Sequence, residues 1–469
     1  MNHPNLPAPF ASGTSLEARM RGTPYQAYSY SYPHKAAYRP LTTPQSLAEL
    51  WAAQDRSALF AYVHIPFCAM RCGFCNLFAM ARPDAALVQG YVDQVLLQMR
   101  VMDEVLGQRR FARCAMGGGT PTYLSAPQLA QLLAGAEKWL GIDLAHTPAG
   151  IEASPDTVTP EKMAVCREFG IARVSLGVQS FSALEVRALA RPQQNATVRA
   201  AIEQIRAAQI PTLNLDLIYG MAGQTCASLI ASIDSALEFA PEEIYLYPLY
   251  VREQTGLGKI ARRKGTSRLD TLRLSADGDS RLALYECARD HLRARGYTQV
   301  SMRMFRAPHA PVQDGPAYCC QNDGMLGFGA GARSYAGPLH YSSEYAVVRT
   351  QTQEIIQDYL ACDAARFARA GYGFVLSRQE QQRRFVIQSL LTEPGLELAA
   401  YRQRFGSDCL QDLPQLQQLA ELGLTQAQAG WLHLNDTGYA WADTIGPWLA
   451  SEQVQALMAE TRGAQQHGE

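Results

Sequence analysis

Leu59-Phe-Ala-Tyr-Val-His-Ile65 runs through Pro66-Phe67 into Cys68-Ala-Met-Arg-Cys72-Gly-Phe-Cys75. The first seven residues are apolar on both faces and read as a buried strand. The cysteines follow at once, so they sit on the loop leaving its C-terminal end. Residues 84–107 then show helical spacing, with Leu87, Val88, Tyr91, Val95, Leu96 and Met99 on one face. The same alternation continues downstream. Strands are expected near Phe111–Met116, Gly150–Ala153, Ala172–Val178, Thr212–Ile218 and Glu243–Tyr250. Helices are expected near 126–140, 160–169, 182–190, 195–208, 225–239 and 275–295. Six strand–helix units predict an α/β fold, a six-unit (β/α) partial barrel left open, with its chemistry on loops after the strand C-termini.

Outside that core the pattern changes. Residues 1–58, rich in Pro, Tyr, Ser and Ala, read as an irregular N-terminal arm leaning on the main body. The barrel is expected over 59–300 and a capping segment, Pro-, Gly- and Cys-bearing and then helical from Glu344 to Ala370, over 301–375. Residues 376–469 read as a small winged-helix-like C-terminal domain. Its helices are expected at Ser377–Leu391, Leu396–Arg404 and Leu413–Leu422. A wing is expected from Gly423-Leu424-Thr425 paired with Trp431–Leu434, with Gly430 in the turn. No basic stripe accompanies this module, which argues for a structural or capping role and against nucleic acid.

Composition narrows the class. Forty-two basic and 43 acidic residues give a net charge of −1, and 47% of the 469 residues are hydrophobic. A polyanion binder and a disordered chain are both disfavoured. No apolar run reaches the roughly 18 residues of a membrane span, and the N-terminus lacks a signal-peptide pattern. A cytoplasmic protein is expected. The 11 cysteines are few and odd in number, which speaks against a disulfide scaffold.

Cys68, Cys72 and Cys75 form a Cys-x3-Cys-x2-Cys motif. Three thiolates can hold three irons of a [4Fe–4S] cubane and leave the fourth iron open. A structural zinc site wants four ligands; zinc and coincidence are the competing readings. The strand ahead of Pro66 points His64 elsewhere. Gly117, Gly118 and Gly119 end the next strand, where a backbone can approach a ligand. Glu152 ends the following one and can accept ribose hydroxyls. Gln179, Arg191 and Asp216 sit in or after later strands, where the alternative for each is an internal hydrogen bond or salt bridge. Tyr245 and Tyr247 share a strand face and read as core packing. Cys114 is expected in the core. Cys319 and Cys320 read as buried thiols or as contacts to a substrate or labile metal. His309 and His340 read as loop histidines, with a substrate acid as the alternative.

These motifs resemble the radical S-adenosylmethionine (SAM) enzymes. Tyr62-Val-His-Ile-Pro-Phe-Cys68, Gly117-Gly-Gly-Thr-Pro-Thr122, Ile151-Glu-Ala-Ser-Pro155, Ser175-Leu-Gly-Val-Gln-Ser-Phe181, Asn214-Leu-Asp-Leu-Ile-Tyr-Gly220 and Leu326-Gly-Phe-Gly-Ala-Gly-Ala332 narrow the resemblance to the oxygen-independent coproporphyrinogen III oxidase-like family. The resemblance implies a [4Fe–4S] cluster on Cys68, Cys72 and Cys75. It implies a SAM molecule lined by Tyr62, Gly118 and Glu152. It also implies a second SAM, a possible methyl donor, lined by Phe74, Gly119, Thr120, Gln179, Arg191 and Asp216. It further implies a small organic substrate and a one-electron donor such as flavodoxin or ferredoxin. Porphyrin oxidation and haem carriage are the alternatives within the family. Leu77 stands where the oxidases carry a further cysteine. Tyr318-Cys-Cys-Gln-Asn-Asp-Gly-Met325 lacks the His-Asn-x-x-Tyr-Trp motif of the haem chaperones.

Overall fold

The computed structural model describes residues 14–29, 31–263, 274–275, 278–312 and 324–467. Among these, 13 strands join in one sheet. In chain order they are β1 (Arg39–Ser46), β2 (Leu59–Ile65), β3 (Phe111–Gly118), β4 (Ala149–Ala153), β5 (Ile171–Gln179), β6 (Thr212–Tyr219), β7 (Glu243–Pro248), β8 (Thr298–Gln299), β9 (Met304–Arg306), β10 (Met325–Phe328), β11 (Arg333–Ala336), β12 (Leu339–Ser342) and β13 (Arg369–Val375). The order across the sheet is β1-β13-β12-β11-β10-β2-β3-β4-β5-β6-β7-β9-β8.

The six strands β2 to β7 are parallel and lie side by side in chain order. Helices follow them at Ala85–Leu106, Ala126–Gly135, Pro160–Glu168, Asn195–Ala207, Cys226–Leu237 and Ser280–Ala294. This is the expected six-unit partial barrel, and β1 and β8 leave it open. Local chemistry starts each helix. Asp84, Ser125, Thr159 and Thr225 accept backbone N–H groups of the first turns. The helical residues 126–140 divide: the α-helix stops at Gly135 and one π turn continues to Leu140.

Period-two alternation separates the two sheet faces. Val63, Met116, Ile151, Val174, Leu176, Leu213, Leu215, Ile244 and Leu246 are buried under the helices. Cys114 joins them as expected. The opposite face carries Tyr62, Glu152, Arg173, Ser175, Asn214, Asp216 and Tyr245, and forms a polar interior.

The sheet continues beyond the barrel. Strand β10 runs parallel to β2, and β11, β12, β13 and β1 follow antiparallel. The helical reading of Glu344–Ala370 resolves into Arg349–Leu360 and Ala364–Phe367 before β13. The arm is not irregular: it contributes β1 and the helices Leu16–Met20 and Leu47–Ala52. Its Tyr25, Leu47 and Trp51 enter the barrel core. Leu16, Tyr32, Ala37 and Tyr38 enter the C-terminal core instead.

The C-terminal part has the winged-helix-like form. Helices Arg378–Leu390, Leu398–Phe405 and Gln417–Glu421 precede the hairpin Thr425–Gln428/Trp431–Leu434, which turns at Gly430 (φ 87°). Three more helices follow, Asp436–Ala440, Ala442–Leu449 and Glu452–His467.

One buried ion pair locks this part to the barrel. Arg303, just before β9, bonds Asp443 on the helix Ala442–Leu449, with side chains 4% and 1% exposed. The Asp443 carbonyl also accepts the Ala27 N–H at 3.2 Å. Asp443→Asn strands the Arg303 charge and should cost about 3–5 kcal/mol of stability. Denaturant titration checks this, and the double change Arg303→Met/Asp443→Leu should recover most of the loss.

Candidate functional site

The three thiols lie on the loop after β2, at the C-terminal mouth of the barrel. Backbone contacts anchor that loop. Met80 N–H donates to Pro66 O (2.6 Å), Arg82 N–H to Cys68 O (2.9 Å), Gly73 N–H to Leu189 O (3.1 Å), and Gly73 O accepts Leu257 N–H (2.8 Å). The Tyr345 hydroxyl donates to Asn76 O (2.6 Å) and Arg71 to Val347 O (2.6 Å).

The thiols are half-buried. Burial pushes Cys68 up to about 12 and raises Cys75, and in both cases the neighbouring thiols add to the shift. Thr120 Oγ1 donates to Cys68 Sγ at 3.5 Å and Arg191 Nη1 to Cys72 Sγ at 3.2 Å. Among the described residues no three His, Cys, Asp or Glu groups are gathered tightly enough for a single metal ion. Three thiols on one loop within electrostatic reach of one another, with donors aimed at two of the sulfurs, match the all-thiolate ligand set of an iron–sulfur cluster. The other described cysteines lie elsewhere. Cys319 and Cys320 fall outside the described residues.

The glycine run serves the loop directly. A Cβ on Gly117 would lie 2.8 Å from both Glu152 Oε1 and the Tyr62 hydroxyl. On Gly118, whose φ is 113°, it would lie 2.6 Å from the His64 ring. On Gly119 it would meet Phe67 O at 2.7 Å and Cys68 Sγ at 3.0 Å. The close approach expected toward a ligand is thus also an approach to the protein's own cysteine loop. His64 points beneath Gly118, and its Nε2 bonds Phe78 O at 3.1 Å. It is not aimed at the thiols, as the strand geometry suggested.

Tyr62, Gly118 and Glu152 come together. Gly118 N–H donates to Glu152 Oε2 at 3.1 Å. Glu152 is more than a third accessible yet crowded on every side, because its open surface is the barrel interior. Burial, then the Asp216 charge, pushes its carboxyl up to about 7. Asp216 is held by Asn214 Nδ2 (2.7 Å) and Ser175 Oγ (3.5 Å), and burial pushes it up to about 6. Arg173, paired with Glu243 at 2.6 Å, faces the same space.

The remaining expected residues surround this centre. Gln179 ends β5 with φ 68° after a register shift, a strained conformation for a non-glycine residue. Phe74 packs beside Leu189, Ile218 and Met221. Arg191 is spent internally: besides Cys72, it donates to Gln193 Oε1 (2.9 Å), Ser154 Oγ (3.2 Å) and Gly177 O (2.8 Å). Tyr245 and Tyr247, expected as core, stack at 5.8 Å beside the polar interior. His309 donates to Ala240 O at 3.1 Å from an exposed loop. His340 is not a loop residue: it lies fully buried on β12, and burial holds it neutral. Sequence reasoning passed over Arg173, Ser175, Asn214 and Glu243, although their alternation with buried leucines marks them as interior-facing.

Comparison with known proteins gives matches over most of the chain. The family model described as the radical SAM superfamily matches residues 62–236, and the HemN C-terminal domain model matches 376–441. The oxygen-independent coproporphyrinogen III oxidase of Bradyrhizobium diazoefficiens is 27% identical over 81% of this chain and 83% of its own. The heme chaperone HemW of Bacillus subtilis is 26% identical over 81% and 95%, and that of Mycobacterium tuberculosis 31% over 59% and 69%. The solved coproporphyrinogen III oxidase of Escherichia coli, titled a radical SAM enzyme, shares the fold: TM-score 0.74, 22% identity, 90% of this chain and 96% of that one.

The raised carboxyls set a pH signature. In the cluster-free protein the folded state keeps protons on Glu152 and Asp216 that the unfolded chain releases near pH 4. Their contribution to stability is therefore full below pH 4 and is lost as pH rises to about 7. Urea midpoints across that window should show a shallower decline in Glu152→Gln than in the unaltered protein, and parallel profiles would overturn the assignment.

Proposed function

The chain belongs to the radical SAM superfamily, in the family of oxygen-independent coproporphyrinogen III oxidases and HemW haem chaperones, and on that premise we propose that it is a catalyst acting on a small organic substrate. The observation that carries this reading is the convergence at one barrel mouth of three thiols, the Gly118–Glu152 pair and a polar interior. No described helix is long and apolar enough to cross a membrane.

In this proposal Cys68, Cys72 and Cys75 hold a [4Fe–4S] cluster through three irons. When bound, that cluster supplies the electron that cleaves SAM to a 5′-deoxyadenosyl radical, given a donor of the flavodoxin or ferredoxin class. Metal binding must displace protons from the half-buried Cys68 and Cys75 thiols. Thr120 and Arg191 then offer donors to thiolate sulfur. Tyr62, Gly118 and Glu152 present a phenol, a bare backbone and a carboxyl to SAM. Glu152 can accept ribose hydroxyls when ionised. The interior beyond, with Asp216, Arg173 and Asn214, encloses the reacting carbon and excludes bulk water.

Phe74, Gly119, Thr120, Gln179, Arg191 and Asp216 are proposed to line a second SAM, as a methyl donor. Arg191 acts there as a positioning residue, since its own donors are taken within the protein. Porphyrin oxidation and haem carriage are the rival readings, because oxidases and chaperones match this chain comparably. Leu77, 46% exposed beside the thiols, weighs against the oxidase reading.

Anaerobic reconstitution should load about four irons per chain and yield 5′-deoxyadenosine after reduction with SAM. Replacing Cys68, Cys72 and Cys75 by Ala should abolish both, whereas stoichiometric zinc without iron uptake, or tight haem binding with no deoxyadenosine, would refute the enzyme. Equilibrium dialysis should find two SAM per chain. Asp216→Ala should weaken one of them by about 10- to 150-fold, the loss of one charge-assisted contact, with iron content unchanged. A single SAM in the unaltered protein would refute the second site.

A further inference from the structure

Two thiols also meet outside the cysteine loop, on the helices that cover the last two units of the barrel. The helix Cys226–Leu237 follows β6, the helix Ser280–Ala294 follows β7, and the two pack against each other. Polar contacts fix their register. Asp234 accepts from His291 Nε2 at 2.8 Å and from Arg295 Nη2 at 2.8 Å. Eight residues earlier on both helices, Cys226 Sγ lies 3.8 Å from the Ala283 carbonyl oxygen. The helices therefore run parallel at a constant offset. As Asp234 sits between positions 291 and 295, Cys226 sits between Ala283 and Cys287.

Helical side chains lean toward the N-terminus of their own helix. Cys287 thus leans over the turn of Ala283, where the Cys226 sulfur already lies, and its thiol stands within hydrogen-bonding reach of Cys226. Burial pushes Cys287 up to about 12, and the Cys226 thiol adds to the shift. At Cys114 and Cys166 burial acts alone.

Access separates this pair from the structural thiols. Cys114, Cys166 and Cys409 are buried, whereas Cys226 is exposed and Cys287 partly so. A small oxidant in solvent reaches Cys226 first and finds Cys287 behind it. An exposed thiol with a second thiol in reach is the arrangement that ends in a disulfide and not in over-oxidation. Cys226 is the first residue of its helix, just after the N-cap Thr225. An end turn has the freedom to bring two touching sulfurs to the bonded distance of about 2 Å.

We propose that Cys226 and Cys287 form a reversible oxidation site, at which hydrogen peroxide joins the last two helices of the barrel by a disulfide. The Cys226 sulfur, as thiolate, attacks one peroxide oxygen. An S–O bond forms, the O–O bond breaks, and the second oxygen leaves as water once protonated. Cys287, as thiolate, then attacks the Cys226 sulfur, forming the S–S bond and expelling the hydroxyl as a second water. The two thiols give up two electrons and two protons, and one peroxide becomes two waters. A dithiol reverses the change by exchange. The link fastens the mouth itself. Gln224, two residues before Cys226, accepts the Gly220 N–H of the loop after β6 at 2.7 Å, and Arg281 of the partner helix donates to Leu249 O after β7 at 2.9 Å. The site goes beyond the catalytic reading and stands or falls without it.

The test treats the full chain with a small molar excess of hydrogen peroxide, blocks the remaining thiols with N-ethylmaleimide and maps the peptides by mass spectrometry. The peptides bearing Cys226 and Cys287 should appear joined, two hydrogens lighter than their sum, and should separate again with dithiothreitol. In concentrated urea the 11 cysteines pair without the fold's guidance, and this pair's share should fall to roughly a tenth of all links made by Cys226. Because Cys226 is exposed, Cys226→Ser should melt like the unaltered protein when reduced, and after peroxide its Cys287 should still take up maleimide. Cys226 carried to the sulfinic acid while Cys287 remains free to alkylate overturns the site. So does a joined pair whose share is as large in urea as in the folded chain, or a Cys287 lost to peroxide equally in Cys226→Ser.

Discussion

The architecture turns on the absence of three side chains. At Gly117, Gly118 and Gly119 the end of β3 meets, in succession, a carboxyl and a phenol, an imidazole, and the backbone of the cysteine loop. None of these positions has room for a Cβ without displacement of its neighbour. The loop therefore docks on the strand end backbone against backbone. The placement of the thiols relative to Glu152 follows from that rigid contact rather than from flexible side chains, which is the kind of preorganisation a reactive site requires. The anchors at Leu189, Leu257, Asn76 and Val347 then hold the far side of the loop.

Around that contact the molecule sorts polarity by strand alternation. Aliphatic residues face the helices, and tyrosines, carboxyls and guanidiniums face the interior. An interior of this kind is costly unless its groups partner one another or a ligand. The Arg173–Glu243 pair and the Asp216 carboxylate find protein partners, whereas Asn214 Oδ1 is buried without one and Glu152 presents open surface to the interior. The arm closes the arrangement by sharing its apolar residues between the barrel core and the C-terminal core.

Much of this was legible in the sequence because it is local. The strands β2 to β7 were marked by dense apolar runs, and their predicted bounds lie within a few residues of those observed. The cysteine spacing and the glycine run are short-range motifs that carry their own geometry. What escaped notice depends on distant partners. Arg39-Pro-Leu-Thr-Thr-Pro-Gln-Ser46 holds two prolines and is mostly exposed, so it reads as a coil; it becomes a strand only by pairing with Arg369–Val375 at a sheet edge, where proline is tolerated. The strands β8 to β12 span two to four residues each, too few for periodicity to register. Gly135 could not announce that the helix would widen into a π turn after it.

The pairing of β1 with β13 also bears on how the chain comes to be folded during synthesis. Arg369 donates to the Pro44 carbonyl across 325 positions, and that span separates an early segment from its strand partner among the described residues. A ribosome adding about 5–20 residues per second exposes the first strand on the order of tens of seconds before the second exists. The six-unit barrel, whose strands pair with sequence neighbours, can form in that interval, while the arm waits unpaired. The strand itself, with two prolines and Leu41 as its one large apolar side chain, suits that wait, since such an edge resists pairing with other chains. The sheet is completed when its last strand in chain order captures its first, and the arm is then in place for the C-terminal core that follows.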